Sequence, residues 1–105
     1  MSDGKPEWDE AFAEKLLGAV VLVGITRESP DGVTQEQFFG TVERADADGI
    51  DIRLGGRRAG ESFFLPPDPG AFQPAPPGTY RLSGTGEVIN DPDYTTTWTI
   101  SPEPN

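Results

Sequence analysis

Acid–base chemistry in this chain rests on carboxylates and cations: 18 Asp and Glu, 8 Lys and Arg, no histidine and no cysteine. Without cysteine there is no disulfide, thiolate metal site or thiol nucleophile. Without histidine the commonest general base and the commonest metal ligand are gone. Asp46-Ala47-Asp48-Gly49-Ile50-Asp51 has the composition of a calcium loop. Aligned as an EF-hand with Gly49 at the sharp turn, it puts Arg44 at the first ligand position and Gly55 where a bidentate glutamate belongs. An Asp-Gly hairpin turn explains the segment better. Asp91 and Asp93, with Glu87 nearby, form a second cluster. A catalytic carboxylate pair needs a cleft and a cause for unequal pKa values, whereas Asx turns around Pro92 account for the same residues.

The one basic spot is Gly55-Gly56-Arg57-Arg58-Ala59-Gly60, joined by Arg53. It suits a phosphate, a carboxylate or an acidic segment of a partner, and it also suits a solvated hairpin tip. No phosphate-cradling GxxxxGK[ST] loop occurs, and Gly84-x-Gly86 runs into a strand-like Glu87-Val88-Ile89 rather than a helix. The serines lack a histidine partner and a Gly-x-Ser-x-Gly elbow. Pro66-x-x-Pro69 and Pro74-x-x-Pro77 have polyproline-ligand spacing, but no basic residue lies between Leu65 and Tyr80, so a rigid connection is expected. Phe38-Phe39 and Phe63-Phe64 each send one ring inward and one outward on a strand. With Phe39 and Phe63 outward, they form an apolar patch for a partner or a second copy, unless the N-terminal helix covers them. Phe39, Phe63, Arg53, Arg57 and Arg58 are therefore the candidate contact residues. No catalytic, cofactor-binding or metal-binding residue is assigned, and no cofactor is expected.

The elements that must position these residues read clearly. Residues 6–17 predict one amphipathic helix: Ser2 or Asp3 as cap, Pro6 in the first turn, and Trp8, Phe12 and Leu16 recurring on one face, broadened by Ala11 and Leu17. Gly18 suits the position after the helix. Ala19 to Arg27 is β-branched and apolar, a strand buried on both faces. Ser29-Pro30-Asp31-Gly32 is a turn. Phe38, Gly40 and Val42 share one strand face, with a bend or bulge expected at the glycine. Ile50, Ile52 and Leu54 alternate with Asp51 and Arg53. Residues 66–78 hold six prolines in thirteen, with Phe72 as the anchor. Thr79 to Ser83 is a short strand. Tyr94, Thr96, Trp98 and Ile100 form the core face of the last one, and 101–105 is a tail.

A chain of 105 residues is the size of one domain. Its 34% apolar content, roughly 46% with glycine, is that of a globular protein. The net charge of −10 is spread along the chain and repels polyanions, so nucleic acid and anionic membrane are not expected as partners. An adaptation to salt would give a similar surface. The polar, acidic start is unlike a signal peptide, and Ala19 to Val23 is too short to span a bilayer, which makes the cytoplasm the expected location.

Phe38-Phe39-Gly40-Thr41-Val42 followed by Gly49-Ile50-Asp51-Ile52-Arg53-Leu54 resembles the second and third strands of SH3-like and Sm-like small barrels. The resemblance covers roughly residues 19 to 100 at the level of fold. It implies a closed barrel of five to six bent antiparallel strands with one N-terminal helix. The Arg-Gly pair expected near the end of an Sm-like chain is missing. The chain also resembles small bacterial proteins with Gly24-Ile25-Thr26 ahead of Asp31-Gly32 and a Thr95-Thr96-Thr97-Trp98-Thr99-Ile100 ending, which implies no activity. The function expected is a non-enzymatic interaction or assembly module whose partner is another protein or itself. The alternatives are a small anionic-ligand binder using Arg57 and Arg58, and a carboxylate-only hydrolase or metal-dependent enzyme.

Overall fold

The β-branched run becomes a central strand. Strand β1 (Val20–Ser29) turns at Pro30-Asp31 into β2 (Gly32–Asp46), which turns at Ala47-Asp48 into β3 (Gly49–Leu54). A 3-10 turn at Gly56–Arg58 leads to β4 (Ser62–Leu65), and another at Pro69–Ala71 leads to β5 (Phe72–Pro74). Two short strands, β6 (Thr79–Arg81) and β7 (Val88–Asn90), precede the last strand, β8 (Tyr94–Ile100). The helix α1 (Glu10–Leu16) comes first. The computed structural model describes residues 9–82 and 84–100.

Six strands form one sheet in the order β4-β3-β2-β1-β8-β5, and β6 and β7 pair as a separate ribbon. The first four strands are the expected antiparallel meander. The last strand corrects the all-antiparallel expectation: β8 runs parallel to β1, from Val21↔Tyr94 to Arg27↔Ile100. A parallel pair needs a connection of about a dozen residues or more, and the proline-rich segment with the β6–β7 ribbon supplies it. The expected closed barrel is not formed by hydrogen bonds either, because β4 and β5 are the two ends of an open ladder. The protein is mainly β with one helix.

Alternation along the strands builds two apolar layers. On the inner face, Val21, Val23, Ile25, Phe38, Val42, Ile50, Ile52, Leu54, Leu65 and Phe72 form one buried cluster with Leu16 of the helix. Burying each such side chain contributes about 1.5–3 kcal/mol before ordering costs. Phe12 meets Phe72 and Tyr94 edge-on, at 6.3 and 5.6 Å between ring centres. Thr96 is buried in the same layer, and its hydroxyl donates to the Ala71 carbonyl at 2.8 Å. On the outer face, the β6–β7 ribbon lays Leu82 and Ile89 over Leu22 of β1, with Val20, Phe39 and Tyr80 around them. This second layer buries the first part of β1 on both sides, as its composition anticipates, while Arg27 to Ser29 are exposed.

The helix is shorter than expected. Asp9 has an extended backbone and its carboxylate accepts the Phe12 N–H at 3.1 Å, so it caps a helix that starts at Glu10. Ser2, Asp3, Pro6 and Trp8 lie outside the described residues, as do Ser83 and the tail 101–105. Ala11 and Leu17 are exposed rather than part of the stripe, because a seven-residue helix turns only positions 12, 13 and 16 toward the sheet. No helix among the described residues is long and apolar enough to cross a membrane.

Gly40 sits where β2 leaves no room for a side chain against β3. A Cβ there would stand 2.5 Å from the Arg53 carbonyl oxygen and 2.5 Å from the Ile52 side chain. The expected bulge falls slightly later, between Val42 and Arg44. Gly40→Ala is expected to lower stability by about 2 kcal/mol or more, read from the urea midpoint, since the obstacle is backbone. At Gly24 a Cβ meets only the Thr97 hydroxyl at 3.8 Å, so Gly24→Ala should stabilise by about 0.5–1 kcal/mol. Equal effects at the two sites would contradict this account.

Candidate functional site

The carboxylates singled out in the sequence are committed to backbone. Asp91 has φ 49, a left-handed conformation unusual outside glycine, and its carboxylate accepts the Gly78 N–H at 2.8 Å. The Asp93 carboxylate accepts the Val20 N–H at 2.9 Å, holding the start of β8 beside the start of β1. Glu87 accepts the Arg57 N–H at 2.8 Å, which ties the ribbon to the 3-10 turn. Gly56, with φ 64, permits that tie, since a Cβ would collide with the Glu87 carboxylate. Among the described residues no group of three Asp or Glu side chains gathers in a way that could hold a metal ion.

The basic spot is largely neutralised. Arg58 pairs with Glu61 at 3.0 Å and Glu36 at 3.7 Å, and its guanidinium stacks 4.6 Å from the centre of the Phe38 ring. Arg53 pairs with Glu43 at 2.9 Å. Arg57 is exposed and contributes its backbone N–H to Glu87. The three arginines therefore do not converge on one ligand position: two of them face acids of their own chain.

The phenylalanines resolve differently from the expectation. Leu65 pairs with Ile50 on the core face, so Phe63, two residues earlier, also faces inward, and its ring lies 5.0 Å from that of Phe38. Phe64 is the outward one, 55% exposed. The parity of Leu65 was the sequence signal for this. Phe39 does face outward from the sheet, but it is half-buried in the outer layer, covered by the β6–β7 ribbon rather than by the helix. Phe39 and Phe63 thus do not form a joint exposed patch.

Phe64 instead belongs to an apolar groove of about 230 Å³, lined by Ile25, Phe63, Phe64, Leu65, Pro66, Trp98, Thr99 and Ile100. Its walls are β4 and the far end of β8. Those strands are four steps apart in the ladder, so a flat sheet would hold them about 19 Å apart at the usual ~4.8 Å spacing. Sharing one groove means that the sheet curls until its edges nearly meet. β5 pairs with β8 only from Tyr94 to Thr96, so beyond Thr96 the side of β8 away from β1 has no strand partner among the described residues. Ile100 is 42% exposed on this wall. The Trp98 indole N–H is buried without a hydrogen-bond partner among the described residues. Buried polar groups are rarely left so.

A larger, wide-open depression of about 380 Å³ between Lys15, Pro74, Asp93 and Tyr94 offers little chemistry, because the Asp93 carboxylate is already engaged by Val20. A third, of about 110 Å³ over Gly24 and Thr97, is smaller still.

Fold and groove together define a mainly β protein with one open, curled sheet and an apolar seam between its edges. No protein-family model matches the chain, and no curated protein or solved structure matches it either.

The β2–β3 turn carries the clearest electrostatic signature. Asp46 is held below the ordinary aspartate pKa, first by the Asp48 backbone N–H at 2.8 Å and then by the Arg44 guanidinium. Arg44, bridging Asp51 and Asp46, is held above its ordinary value. A depressed carboxylate adds stability that is complete above the ordinary pKa of about 4 and fades as pH falls through the lowered one. Asp46 should therefore titrate below the ordinary range by NMR. Asp46→Asn should reduce the loss of stability on acidification below about pH 4, and an unchanged acid profile would contradict the assignment.

Proposed function

We propose that this protein is a non-enzymatic protein-interaction module whose contact face is the groove between β4 and the end of β8. One observation carries the proposal: Phe64 and Ile100, 55% and 42% exposed, flank an apolar seam whose two strand edges lack partners among the described residues. Large apolar side chains exposed together, rather than singly, are characteristic of contact surfaces. The commitment of Asp91, Asp93 and Glu87 to backbone N–H groups favours this reading over a carboxylate-only enzyme. The pairing of Arg53 and Arg58 with acids favours it over an anionic-ligand binder. Phe38–Val42 and Gly49–Leu54, which carry the resemblance to SH3-like and Sm-like barrels, lie in β2 and β3, and on that reading the groove is the seam where such a barrel would be joined.

The test is a capture experiment from the native host, with mass spectrometry, comparing the wild type with Phe64→Ser/Ile100→Ser. Both positions are exposed, so the double variant should keep its stability within about 1 kcal/mol. Proteins held by the wild type should be lost from the variant. An identical set of captured proteins from a folded variant would refute the groove as contact face.

A further inference from the structure

We infer that the groove takes an extended, basic segment of a partner protein as an added strand on β4, with one apolar side chain seated beside Phe63, Leu65 and Ile100. The inference rests on the interaction-module reading and adds the partner's chemistry. Among the described residues β4 pairs with β3 alone and forms one end of the ladder. The Leu54 N–H donates to the carbonyl of Glu61, the residue just before β4, at 2.9 Å, and the β3–β4 register extended by one residue puts these two opposite each other. Hydrogen-bonded pairs alternate along an antiparallel ladder, so Phe63 and Leu65 bond inward to β3. Ser62 and Phe64 then turn their N–H and C=O groups toward the groove, as an edge that a further strand can join.

Groove size and chemistry select a side chain rather than a small molecule. Its 230 Å³ falls below the roughly 300–1,000 Å³ of small-molecule pockets.

Charge selects the occupant. The chain carries a net −10, while the acids nearest β4, Asp51 and Glu61, are already paired with Arg44 and Arg58, so the selection rests on the net negative field of the molecule. A second copy would bring another −10 to the same seam, and an acidic peptide would be repelled likewise. A segment alternating Lys or Arg with apolar residues meets both requirements: cations toward solvent in the net negative field, apolar side chains into the groove.

The probe is the blocked peptide Lys-Thr-Lys-Phe-Lys-Val-Lys, titrated into the ¹⁵N-labelled full chain. Amide shifts are expected at Ser62, Phe64, Thr99 and Ile100 and at the Trp98 indole. Hydrogen exchange at Ser62 and Phe64 should slow about tenfold or more. Binding should weaken about tenfold between about 0.05 and 0.5 M salt. Methylating alternate backbone nitrogens of the peptide should abolish binding, and because that change is in the peptide it leaves the protein's folding untouched. Equal binding of the methylated peptide would overturn strand addition. Equal binding of a glutamate-for-lysine peptide would overturn the charge selection. A dimer in sedimentation that Phe64→Ser dissolves would point to a second copy and overturn the inference, as would the absence of any shift. In each of those cases the capture experiment still judges the groove as contact face on its own.

Discussion

The parallel alignment of β8 on β1 is the constraint on which the rest depends. It puts β1 between an antiparallel neighbour and a parallel one, with apolar layers on both faces. The two strands are locked at their start by Asp93, whose N–H donates to the Val20 carbonyl at 2.9 Å while its carboxylate takes the Val20 N–H. Running β8 this way spends the long stretch after β4 on a crossover. The curled sheet is left with β4 and the end of β8 facing each other without a strand between them. The seam is a consequence of topology, not of a missing residue.

The acidic side chains have a structural role that composition alone hides. Asp9, Asp46, Asp68, Asp91, Asp93 and Glu87 each accept a backbone N–H. In a chain rich in turns, such bonds satisfy donors that no ladder reaches, and short carboxylates do this better than longer side chains. Several candidate carboxylates are therefore fasteners. What remains of their charge is a negative field around the molecule, which shapes who can approach rather than what is catalysed.

An exposed sheet edge invites uncontrolled pairing, and this fold limits the risk. β4 is only four residues long and ends at Pro66, while β5 is three residues long and ends with Pro74. Short strands and prolines at edges restrict how much chain can add. The remaining stretch at Ser62 and Phe64 is long enough for a selective contact and short enough to discourage open-ended stacking. Proline placement thus joins the rigid connection to the character of the groove.

Local pattern determined most of the elements. The Asp-Gly turns, the alternation of Ile50, Ile52 and Leu54, the buried first part of β1, the Phe72 anchor and the inward Tyr94, Thr96 and Trp98 all follow from period-two alternation and turn chemistry, which act over a few residues. Ile100, expected in the core with them, is exposed because the sheet ends there without a covering strand among the described residues. The parity of Leu65 also contained the orientation of Phe63 and Phe64. Tertiary structure alone decided the direction of β8, the covering of Phe39 by a ribbon some forty residues away, the neutralisation of Arg58 by Glu36, and the groove itself. A strand shows the same alternation whether its neighbour runs with it or against it. Which edges meet depends on how the whole sheet curls, and no short stretch of residues encodes that.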